Sequence, residues 1–101
     1  MTPDAFKASL GQDEAPPNLS VPLAALWWAG RGEAGWDRAH ALVQDASGPD
    51  AAWVHAYLHR VEGDLGNAGY WYARAGRPAA DGPLPAEWEA IATSLLAAER
   101  P

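Results

Sequence analysis

Cysteine is absent from the 101 residues. That removes disulfides, thiolate nucleophiles and thiolate metal sites. Basic charge is scarce: Lys7 and six scattered Arg oppose 13 acids, for a net charge of −6. Nucleic-acid binding needs a basic footprint, and none is visible. Long apolar runs are also missing. The longest, Val21 to Ala29, contains Pro22 and falls short of the ~18–20 residues that span a bilayer. Met1 to Leu10 lacks a basic stretch followed by an apolar one, so no signal peptide is expected and the chain reads as cytoplasmic. Large aliphatic residues are few. Leu, Ile, Val and Phe total 16, whereas Ala alone supplies 23. Such a share normally points to disorder. Six Trp and three Tyr reverse it, because each large ring buries ~150–250 Å². The expectation is one small domain in which aromatic rings plug an alanine matrix.

No segment alternates with period two, so the fold is expected to be all-α. Residues 1–18 read as a flexible arm, acidic and containing Pro16 and Pro17, with at most two helical turns near its start. Residues 19–101 read as a single helical domain of about five helices, at roughly 20–30, 35–46, 50–62, 64–76 and 85–99. Start and stop signals delimit them: Ser20 and Asp64 as caps, Pro22, Pro49 and Pro85 in first turns, Gly48, Gly63 and Gly76 at ends. Arg31 to Gly35 is expected to form a turn. Glu87 and Glu89 suit the positive end of the last helix and are expected to be solvated there. Short turns between helices imply antiparallel pairs.

A repeat offset of 29 residues aligns Trp36-x-x-Ala39-x-x-x-Val43-x-x-Ala46 with Leu65-x-x-Ala68-x-x-x-Tyr72-x-x-Ala75, large residue to large and small to small. Small residues let two helices approach, and the ring one turn later fills the groove. The string Gly63-Asp64-x-x-x-Ala68-x-x-Trp71-Tyr72-x-x-Ala75-Gly76 resembles the second helix of a tetratricopeptide repeat, and more closely its Sel-type variant. The resemblance covers residues 50–76 well and 20–48 weakly, and the unit is shorter than that family's period of ~34 residues. It implies two tetratricopeptide-like helical hairpins plus a C-terminal capping helix, and a scaffold that binds protein. His55-Ala-Tyr-Leu-His59-Arg-Val-Glu62-Gly63-Asp64 is also similar to a string in small bacterial proteins, a likeness that carries no activity with it.

Two constellations carry chemistry. His55, His59 and Glu62, spaced by four and three, fall on one side of one helix. Histidines at i and i+4 grip one metal ion, a carboxylate one turn on completes a facial set, and His40 is a candidate fourth ligand. The plainer reading is a set of packed, hydrogen-bonded histidines on a central helix. The motif is not that of zinc proteases, since Ala56 stands where their general base would be. The second constellation is aromatic. Trp28, Trp53, Tyr70 and Arg74 fall away from the main apolar stripes, and such residues are enriched at binding hot spots. Gly30-x-Gly32-x-x-Gly35 follows a helix rather than a strand and is no dinucleotide cradle. No hydroxyl sits in a nucleophile-elbow setting.

The leading expectation is therefore a non-enzymatic interaction module without a cofactor. It would bind a protein or peptide segment, or a second copy of itself, through Trp28, Trp53, Tyr70 and Arg74, and neither nucleic acid nor membrane. The alternative is a small metal-binding protein or metal-dependent enzyme built on His40, His55, His59 and Glu62.

Overall fold

The computed structural model describes residues 1–98 and is all-α, with no strand among them. Helix α1 spans Pro3–Ala8 and runs into a 3-10 turn at Ser9–Gly11; α2 spans Val21–Gly30, α3 Glu33–Gln44, α4 Pro49–Val61, α5 Leu65–Ala75 and α6 Leu84–Ala98. There are thus six α-helices among the described residues where about five were expected. The end expected at residue 99 lies outside them. No helix is long and apolar enough to cross a membrane.

Caps set the boundaries. The Ser20 side chain accepts from the Leu23 amide and that of Asp64 from the Asn67 amide. At Gly63 and Gly76 the backbone turns left-handed, with φ of 82° and 70°, which glycine adopts without a Cβ penalty. Each turn lets the following amide reach back five residues, Asp64 N to His59 O and Arg77 N to Tyr72 O, so the last carbonyls of α4 and α5 are satisfied.

Helix α4 is the centre of the molecule. Ala51 through His59 are all buried, and the helix packs against α2, α3, α5 and α6. Its most extensive neighbour is α5, while α2 packs chiefly on α3. The α2–α3 approach is close enough to exclude a side chain. A Cβ on Gly35 would lie 1.9 Å from the Trp28 carbonyl oxygen. Gly35 therefore sits inside α3, and the helix begins at Glu33 rather than after an extended turn.

Residues 1–18, expected as an arm, hold a helix whose Phe6 is fully buried and stacks on Trp88 of α6 at 5.6 Å. The physical reason is long-range: Phe6 finds its aromatic partner 82 residues away. Ser9 ties the segment further, donating to the Phe6 carbonyl and accepting from the Trp27 indole. Arg31 donates to the carbonyls of Leu10 and Gln12.

Glu87 also departs from expectation. It is 7% exposed rather than solvated. Arg60 Nη1 lies 2.9 Å from its Oε1, and the Tyr72 hydroxyl donates to its Oε2. Arg60 also donates to the exposed Gly82 carbonyl, so one network joins α4, α5, α6 and the loop before α6. Burial and the neighbouring carboxylate push the Tyr72 phenol well above its ordinary range.

Candidate functional site: a three-histidine cluster

Helices α3, α4 and α5 meet at a set of imidazoles. His40 comes from α3, and His55 and His59 from successive turns of α4. Each ring offers a nitrogen, and the three nitrogens lie within 4.8 Å of one another. The His55 and His40 Nε2 atoms are 3.2 Å apart. The rings of His55 and His59 stack at 4.9 Å, as an i, i+4 pair on one helix face allows.

Aromatic walls hold this cluster. Trp36, one turn before His40 on α3, stacks on it at 4.9 Å with the planes 9° apart, and its indole N–H donates to the Leu58 carbonyl of α4. On the other side Trp71 of α5 lies over His55, centroids 3.9 Å apart and planes 15° apart. Neither tryptophan stands out as a site residue from spacing alone. For Trp36 the signal was its position four residues before His40; for Trp71 sequence spacing offers none.

Glu62 takes a different place from the one expected. It occupies the C-cap of α4, just before the Gly63 turn, and its Oε1 lies 2.6 Å from His59 Nδ1. It therefore orients His59 from behind instead of joining the three imidazoles directly. A proton held on Nδ1 by this carboxylate leaves the Nε2 lone pair of His59 free for a ligand.

Burial disfavours charge on two of the three rings. His55 is 3% exposed, and desolvation, reinforced by His40 and His59, lowers its pKa to about 4. Desolvation, with His59 as a second cause, also lowers that of half-buried His40. Metal ligation needs unprotonated imidazole, the form that burial favours at His55 and His40. His55 Nδ1 is buried and has no hydrogen-bond partner among the described residues.

Of the four residues expected to form an aromatic binding surface, only Tyr70 and Arg74 touch one another. Half-buried Trp28 lies under Arg38 at 4.4 Å. Trp53 is 7% exposed, with the Arg77 guanidinium 3.5 Å above its ring. Tyr70 is 55% exposed, and Arg74 donates to its hydroxyl at 3.2 Å. Among the described residues no ring or cation contact joins Trp28 to Trp53 or to Tyr70. Tyr70 and Arg74 instead cover Trp71, at 5.2 and 5.3 Å, and so form the outer layer of the histidine cluster. Compared with known proteins, the chain matches no family model, no curated protein and no solved structure.

Proposed function

We propose that the protein is a small helical metal-binding protein whose ligands are His40, His55 and His59. The observation that carries this reading is the convergence of three ring nitrogens within 4.8 Å, two of them 3.2 Å apart. Two nitrogens on one tetrahedral ion with bonds of about 2.05 Å sit roughly 3.3 Å apart, so that pair is already at ligand spacing. Glu62 behind His59 matches the carboxylate support that metal-bound imidazoles use. An all-imidazole set without thiolate suits a borderline divalent ion of the zinc class, with a fourth position left for water.

Titration of chelator-treated protein with Co²⁺ tests the reading. The expected result is the intense visible absorption of a tetrahedral site at one equivalent, lost in His55→Gln and weakened 10–100-fold in Glu62→Gln. Only the pale spectrum of the hydrated ion, with a melting temperature indifferent to chelator, overturns it.

The tetratricopeptide-like arrangement belongs to the same proposal: α2 with α3 and α4 with α5 as two antiparallel hairpins, closed by α6. The Gly63-Asp64…Trp71-Tyr72…Gly76 string and the extensive packing within each pair support it. A second reading, contact with a protein or peptide segment, draws on exposed Tyr70 and Arg74 beside Trp71. It predicts that Tyr70→Ser with Arg74→Ser abolishes partner capture or self-association and leaves the melt unchanged. Capture or association by that variant at the wild-type level sinks it.

A further inference from the structure

Residues 3–11 form an arm that docks on a seat built by α2 and α6. Phe6 is fully buried and stacks on Trp88 of α6. Lys7 Nζ lies 2.9 Å from Glu89 Oε1, also on α6. From α2 the Trp27 indole donates to Ser9, and Arg31, at the helix end, donates to the Leu10 carbonyl at 2.8 Å. Gly30 leaves the room these groups fill: a Cβ there would lie 2.9 Å from the Trp88 ring and 3.0 Å from Leu10 Cδ1. Helix α1 packs chiefly on α6. With six residues it is too short to hold a helical form alone, so the seat makes its shape. The segment that joins the arm to α2 is stiff just before one bend. Pro17 fixes its own φ and holds Pro16 extended. The chain then turns at exposed Asn18, the only residue other than glycine with a positive φ among the described residues, at 65°. Asparagine tolerates that left-handed conformation at a small cost.

We propose that the same seat takes residues 3–11 of a second copy of this chain, in a reciprocal exchange for which Asn18 is the hinge. Every contact named above joins the arm to α2 or α6, so each re-forms between chains unchanged, which makes exchange a low-cost route to a dimer. Left-handed, Asn18 returns the arm to its own seat; extended, it sends the arm outward to another. Ala15, packed against the core, lies on the arm side of this hinge and travels with it. What opposes the dimer is the entropy of association, which concentration offsets. The inference goes beyond the metal reading, because none of its contacts uses a histidine, and it draws nothing from Tyr70 or Arg74.

Isotope mixing of the full chain tests it. Equal amounts of ¹⁴N- and ¹⁵N-labelled protein are mixed in urea, refolded together at millimolar concentration and treated with a carbodiimide. The reagent condenses an amine and a carboxylate into an amide with loss of water, and Lys7, the only lysine, lies against Glu89. Mass spectrometry of the digested products reads whether the two joined residues came from one chain. In the covalent dimer about half of the Lys7–Glu89 pairs are expected to carry mixed labels, as random reciprocal exchange requires, and in the monomer none. Asn18→Val should raise the dimer fraction at least fivefold, because a β-branched residue resists the left-handed region, whereas Asn18→Gly should not raise it. Tyr70→Ser with Arg74→Ser should leave it unchanged. Dimers whose Lys7–Glu89 pairs are all of one label, or an Asn18→Val protein that stays folded and monomeric at that concentration, overturn the proposal. Neither result touches Co²⁺ binding, so this proposal and the metal reading fall separately.

Discussion

The indole of Trp71 lies flat against the imidazole of His55, 3.9 Å between centroids. Trp71 is itself only partly covered, so it is the layer that separates His55 from water. Trp71→Leu should admit water to the ring, and the His55 pKa, held at about 4, should rise by at least one unit toward 6.5. A histidine-resolved NMR titration reads this directly. An unmoved pKa would mean that burial by the rest of the core suffices.

Acid should destabilise the fold through the same residue. Unfolded His55 titrates near 6.5 and folded His55 near 4. Between those values the unfolded chain binds more protons, so stability falls as pH drops through this window and the effect is absent above about pH 7. The full difference is on the order of 3 kcal/mol, and half-buried His40, shifted the same way, adds to it. Urea unfolding of chelator-treated protein at pH 7.5, 6 and 5 measures the slope, and His55→Leu should flatten it. Equal slopes in the two proteins would place the acid sensitivity elsewhere.

Gly35→Ala should be severely destabilising, because its methyl would meet the Trp28 carbonyl 1.9 Å away and two helix backbones must separate to admit it. A loss of about 3 kcal/mol, or roughly 10–20 °C in melting temperature, is expected. Gly69→Ala in α5 is the matched comparison. Open space surrounds that position, and helix propensity should make the change neutral or stabilising by up to ~1 kcal/mol. Similar melts for the two variants would contradict the close α2–α3 contact.

Removing Glu87 should cost far more than its place in the first turn of a surface helix would imply. Glu87→Ala leaves the Arg60 guanidinium, 13% exposed, and the Tyr72 hydroxyl without their acceptor. The expected loss is about 3–5 kcal/mol, against about 1–2 for Tyr72→Phe. Combining Glu87→Leu with Arg60→Met should cost less than Glu87→Ala alone, since no buried charge is then stranded. Denaturant melts of the four proteins settle the ordering.

Helix positions were legible because their signals are local. Ser20 and Asp64 cap within three residues, and Gly63 and Gly76 terminate within two. Half of the site was legible for the same reason: His55 and His59 face one way by helical spacing, and His40 shares the packing side of its own helix. The rest depends on which faces meet. Nothing near Phe6 announces Trp88, nothing near Glu87 announces Arg60, and nothing near Trp71 announces His55. Gly35 was misplaced for a related reason. A glycine required by a neighbouring backbone looks, in sequence, like a glycine required by a turn.

Helix α4 has nine consecutive buried residues, and two of the three clustered histidines are among them. Its amides are therefore expected to exchange with solvent only through whole-molecule opening, whereas those of α1 should exchange through local fraying. His55 and His59 share that fate. The cluster has no independent hinge along α4, so its geometry should persist as long as the chain is folded and vanish in the same cooperative step. Any ligand that tightens it must then raise the protection of every slow amide in the protein by the same free energy.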